Sequence, residues 1–161
     1  MEKYLPIAGM HDKIFCGRCE NYLPLIPDSS VDLLLLDLPY GKTKNNWDKP
    51  IPFDFLWPHL LRISKPNAAI LLFGQDKFTA RAMLSNEKYH RYNLIWKKGN
   101  RTTGFLNANK QPLRNHEDIM VFYKKEPIYN PQMRIGDKNH SSGTRRKSNK
   151  SSNYGLFDDV R

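Results

Sequence analysis

Asp37-Leu38-Pro39-Tyr40 is the stretch whose residue types and spacing could do chemistry. It follows an apolar run from Val31 to Leu36 that only Asp32 interrupts, and Gly41 comes next. A short apolar run bounded by turn residues reads as a buried strand. Open α/β sheets keep their ligands outside the carboxyl ends of their strands. Pro39 fixes its own φ and biases Leu38 towards extended geometry. The Asp37 carboxylate and the Leu38 carbonyl are then held in one place, pointing out of the sheet, with the Tyr40 ring beside them. Two fixed acceptors and a flat ring suit a planar base with an exocyclic amino group. Taken singly, Asp37 reads as well as a strand-end acid that caps a helix or pairs with a lysine, and Tyr40 as a turn aromatic. Their occurrence together, after a strand and with proline between them, favours the base.

The segments around the tetrapeptide occur in a telling order. Leu25-Ile26-Pro27-Asp28-Ser29-Ser30-Val31-Asp32 leads into it. Phe73-Gly74-Gln75, Asn93-Leu94-Ile95-Trp96-Lys97 and Arg114-Asn115-His116-Glu117-Asp118-Ile119-Met120-Val121-Phe122 follow it. With Asp-Leu-Pro-Tyr in the place of Asp-Pro-Pro-Tyr, this set resembles the amino-methylating DNA methyltransferases. It is most similar to phage-type and bacterial adenine-N6 enzymes of the permuted order that puts the catalytic motif first. The resemblance runs from about Lys13 to the C-terminus.

The resemblance implies an α/β fold: a partial Rossmann-like methyltransferase sheet with flanking helices. It implies S-adenosylmethionine as cofactor, double-stranded DNA as partner, and methylation of the adenine N6 amino group after base flipping. Asp37, Leu38, Pro39 and Tyr40 are the catalytic residues it implies. Asp37 and the loop of Phe15, Cys16 and Gly17 are expected near the methyl donor. Family members commonly carry an acid where Arg18 stands. Leu38 replaces the usual first proline; the acceptor there is a backbone carbonyl, which leucine also supplies. Of Tyr40, only the ring face is expected to matter. Asp in place of Ser at position 37 favours adenine-N6 over cytosine-N4. A cytosine-N4 DNA enzyme, an RNA amino-methyltransferase and a non-catalytic DNA-binding remnant are the alternatives.

The elements that must position these residues follow from periodicity. A short first strand is expected over residues 13–16 and the catalytic strand over 31–37. A polar loop, 42–49, contains Trp47. Leu56, Trp57, Leu60, Leu61 and Ile63 give a helical stripe over 54–64, with Pro58 favouring a start near Asp54. Further strands are expected over 68–73, 92–96 and 118–123, and a helix capped by Asp76 over 76–85. Alternation of strands and helices argues for a largely parallel sheet, with the last strand antiparallel at an edge.

The charge of +10 suits a polyanion. Lys42, Lys97, Lys98, Arg101, Lys110 and Arg114 are candidate phosphate contacts. Asn107, Asn109 and Gln111 are candidates for reading adenine edges. The chain divides into a catalytic part, 1–123, and a basic, loop-rich part, 124–161, with Arg145, Arg146 and Lys147. By the resemblance the second part begins the target-recognition region.

No apolar stretch of membrane-spanning length and no signal-peptide pattern occurs, so a cytoplasmic protein is expected. Cys16 and Cys19 lack the second ligand pair of a zinc site, so no metal is expected, and both thiols are expected reduced and partly buried. The family's Phe-x-Gly-x-Gly cofactor turn is absent from the 161 residues. A missing C-terminal segment of the same enzyme is therefore expected to carry it, and this chain alone is expected to be inactive.

Overall fold

The two apolar runs pair first. In the computed structural model, which describes residues 12–133 and the backbone of residues 150–151 and 155–156, strand β1 (Val31–Leu36) lies parallel to β2 (Ser64–Gly74). Leu34 stands beside Ile70, and Leu36 beside Leu72. Strands β3 (His90–Lys97) and β4 (His116–Tyr123) form an antiparallel pair, and β4 also pairs antiparallel with β2. The sheet order is β1-β2-β4-β3. Three strands thus run one way and β4 the other. The last strand is antiparallel, as expected, but it lies inside the sheet. The edges are β1 and β3.

The helices α2 (Phe53–Ile63) and α3 (Asp76–Ser85) supply one covering layer. Leu56, Trp57, Leu60 and Ile63 of α2, and Phe78 and Ala82 of α3, pack with Leu34, Ile70, Leu72, Met120 and Phe122 of the sheet. These sheet positions alternate along each strand, as side chains on one face must. Pro58 sits well inside α2 and not in its first turn. Residues 13–16, expected as a strand, are irregular, and Ile14 is wholly exposed. A short helix, α1 (Cys19–Tyr22), follows them. Cys16 is exposed and only Cys19 is half-buried, against the expectation for both.

The opposite face of the sheet has no helix on it among the described residues. Leu33 and Leu35 are more than half exposed, and Tyr92, Leu94 and Trp96 nearly half. The run 31–36, expected as a buried strand, alternates, with Leu34 buried. By internal contacts the chain forms two units, Met1–Ile128 and Tyr129–Arg161. In the second, β5 (Lys150–Ser151) and β6 (Gly155–Leu156) make an antiparallel pair. No helix among the described residues is long and apolar enough to cross a membrane.

Candidate active site at the carboxyl end of the sheet

The end of β1 delivers Asp37 to the surface, with Leu38, Pro39 and Tyr40 half-buried behind it. The Tyr40 hydroxyl donates to Asp37 Oδ1 at 2.9 Å. Burial, and then the adjacent carboxylate, push this hydroxyl's pKa up, so it remains a donor. The Tyr40 ring packs on Phe78, centroids 4.8 Å apart. No group among the described residues donates to the Leu38 carbonyl or to Asp37 Oδ2. Both acceptors are therefore without a protein donor among the described residues.

The loop after Tyr40 is closed by Asp48. This carboxylate is buried and accepts from three successive amides: Gly41 at 2.7 Å, Lys42 at 2.8 Å and Thr43 at 2.6 Å. The amide bonds, that of Thr43 foremost, hold its carboxyl below its ordinary pKa. Gly41 has φ +69°, and a Cβ there would stand 2.6 Å from Pro50 Cγ, so the closure needs glycine.

A polar hub forms where β2 ends. Asp76, with φ +51°, does not cap α3 through its side chain. Its carboxylate instead binds Lys42 and Arg114, each at 2.6 Å, which lower its pKa, Lys42 foremost. Gln75 accepts from Arg114 at 2.8 Å and donates to buried Glu117 at 2.6 Å. Glu117 also takes Lys98. The hub joins the loop after Tyr40, the β2–α3 turn, the end of β3 and the start of β4.

Two cavities meet at the tetrapeptide. The first, about 500 Å3, is walled by Gly17, Glu20, Leu23, Leu35 and Asp37 among others. The second, about 410 Å3, is walled by Tyr40, Thr43, Asp48 and Gln75. Asp37, Leu38, Pro39 and Trp47 line both.

Of the expected donor-side residues, Asp37 and Gly17 come together in the first cavity. Phe15 and Cys16 do not line it: Phe15 packs on Tyr22, whose hydroxyl donates to the Cys16 carbonyl at 3.0 Å. Position 18 carries no acid; Arg18 pairs Glu20 at 2.6 Å, and both line the first cavity. Of the expected phosphate contacts, Lys42, Lys98 and Arg114 are engaged in the hub. Lys97 ends β3, and Arg101, Asn107, Asn109 and Lys110 are exposed on the excursion between β3 and β4. Arg145, Arg146 and Lys147 lie outside the described residues.

Known structures match this arrangement of strands and helices. The PvuII DNA methyltransferase, described as cytosine-N4-specific, aligns with TM-score 0.52 and 12% identity over 70% of this chain and 49% of its own. This is a methyltransferase fold. The M1.HpyAVI–SAM complex aligns with TM-score 0.48 and 15% identity, over 68% of this chain and 54% of its own. The chain thus spans about half the length of these two proteins. No family model and no curated protein matches the sequence.

Sequence reasoning gave no role to Asp48 or Glu117, and to Asp76 only that of a helix cap. The last two stand in or beside segments that carry the resemblance, but their partners come from other strands. For Asp48 only the glycine seven residues earlier is a signal. The hydroxyl of Tyr40, expected to be dispensable, bonds Asp37, and an orienting role is proposed for it. Tyr40→Phe is therefore expected to lower turnover roughly tenfold, since a hydrogen bond to a charged group contributes about 1.5–3 kcal/mol. Tyr40→Ala should lose far more. Steady-state kinetics of the two variants in a donor-competent enzyme check this, and an unchanged Phe variant would return the role to the ring alone.

Proposed function

We propose that this chain is the catalytic part of an S-adenosylmethionine-dependent DNA methyltransferase that acts on N6 of a flipped-out adenine. The observation that carries the reading is the meeting of the two cavities at Asp37-Leu38-Pro39. One cavity suits the donor, the other the base, and the acceptors for an amino group stand between them.

The first cavity fits part of the donor. Its size is in the range of small-molecule sites, about 300–1,000 Å3. Asp37 and Glu20 offer carboxylates to a sulfonium and an ammonium, and Leu23 and Leu35 an apolar wall. When bound, S-adenosylmethionine supplies an electrophilic methyl group on its sulfonium sulfur.

The chain's own residues do the rest. A base inside a duplex cannot present its amino group, and extruding it costs a few kcal/mol. Stacking on Tyr40 offsets about 1–3 kcal/mol of that. The amino lone pair is delocalised into the ring and is a poor nucleophile. Donation of one N–H to Asp37 and the other to the Leu38 carbonyl draws the nitrogen towards tetrahedral geometry and localises that pair. The methylated nitrogen is briefly cationic; Asp37 opposes the charge until a proton leaves to the carboxylate or to water. The work is positioning and electrostatic stabilisation. Asp at position 37 supports adenine over cytosine. Exposed Lys97, Arg101 and Lys110, with the charge of +10, support a nucleic-acid partner.

In this reading a further segment of the same enzyme supplies the Gly-rich turn for the donor. Removing most contacts removes most of a small ligand's affinity. The 161-residue chain alone is expected to bind S-adenosylmethionine weakly or undetectably in calorimetry, and the added segment to restore binding. Micromolar binding by the chain alone would contradict that division.

A further inference from the structure

Trp47 is 72% exposed, although the loop that carries it is pinned on both sides. Before it, Asn45 accepts the Asp48 amide at 3.1 Å and closes a turn around the indole. After it, the buried Asp48 carboxylate grips the amides of Gly41, Lys42 and Thr43. The indole is therefore held out to water on an ordered scaffold. Large aromatics usually bury their area, so an exposed one on a pinned loop, sharing cavity walls with Asp37, calls for a ligand. It stands at the one place where both cavities share a wall with Asp37, Leu38 and Pro39.

We propose that Trp47 is a second stacking platform for the target purine, in the cavity that Tyr40 also walls. The inference rests on the methyltransferase reading and names a residue that recognises its substrate. Tyr40 is half-buried and packs its ring on Phe78, so it is an incomplete stacking surface for a base. Trp47 supplies aromatic area from the loop side. The cavity's other walls, Thr43 and Gln75, carry hydroxyl and amide groups suited to base edges. The donor-side cavity already has Leu23, Leu35, Leu56 and Leu60 as apolar walls and needs no indole to hold a ring.

The test uses the full chain labelled with 5-fluorotryptophan. Its three tryptophans give three resonances, and Trp47→Phe assigns the one of interest. The probes are a thymine oligonucleotide with a single adenine, the same strand with an abasic site instead, and S-adenosylhomocysteine. The adenine strand should shift the Trp47 resonance and lower its solvent accessibility; the abasic strand should do neither. Trp47→Ala should reduce the preference for adenine over abasic about tenfold, with abasic binding unchanged, and Trp47→Phe should keep most of it. Equal shifts with both strands, or a shift with S-adenosylhomocysteine only, would overturn the role of Trp47 while leaving DNA binding intact. Failure of both strands to bind would overturn this inference together with the reading beneath it.

Discussion

Asp37→Ala is expected to abolish methyl transfer in a donor-competent enzyme while leaving DNA affinity nearly unchanged. The carboxylate stands exposed at the end of β1, held by the Tyr40 hydroxyl, with one oxygen free for a substrate amino group. In the proposed mechanism it opposes charge that exists only while the methyl group is being transferred. Removing a group of that kind costs about 10²–10³ in turnover. Affinity for DNA rests instead on phosphates, and Asp37 repels them. Turnover assays with labelled donor, beside fluorescence anisotropy on duplex DNA, separate the two quantities. More than about a tenth of the activity surviving in the variant would contradict the role, since that loss falls short of any such stabilisation.

Asp48→Ala is expected to do nearly as much damage without touching the substrate. Its carboxylate binds three consecutive amides of the loop that starts at Gly41, directly after Asp37-Leu38-Pro39-Tyr40. Without it those donors have only water, and Tyr40 and Trp47 lose their fixed relation to Asp37. Displacement of about 1 Å can cost about a hundredfold in rate, and that is the expected fall in turnover. Hydrogen exchange of the Gly41, Lys42 and Thr43 amides should accelerate in parallel. The pH dependence has a defined sign. The carboxyl pKa is depressed in the folded loop, against about 3.9 for a free aspartate. The grip is complete above the free value, weakens below it and is gone once pH falls through the depressed one. Amide protection should therefore be flat from about pH 5 to 8 and lost only in strong acid. Protected amides in the Ala variant would show that the loop is held by something else.

Local chemistry was legible and tertiary closure was not. Asp37-Leu38-Pro39-Tyr40 could be read because strand end, acid, proline and ring are adjacent in sequence. The helix over 53–63 was legible from its apolar stripe, to within a residue at either end. The place of β4 was not, because the excursion between Lys97 and His116 hides the antiparallel pairing of β3 with β4. Lys42, Lys98 and Arg114 read as free cations, since Asp76 and Glu117 reach them only once three strands have assembled. The Val31–Leu36 run read as a buried strand from its apolar composition; it alternates, and the described residues cover one face.

Nucleoside analysis of the methylated product bears most directly on what the site does. DNA from a methylation-deficient host that expresses the chain together with a donor-binding segment is digested to nucleosides and separated by mass spectrometry. N6-methyldeoxyadenosine is expected with the native sequence and should be absent with Asp37→Ala. N4-methyldeoxycytidine, or N6-methyldeoxyadenosine that persists in the Asp37→Ala variant, would contradict the assignment of Asp37 and Leu38 as the acceptors of an adenine amino group.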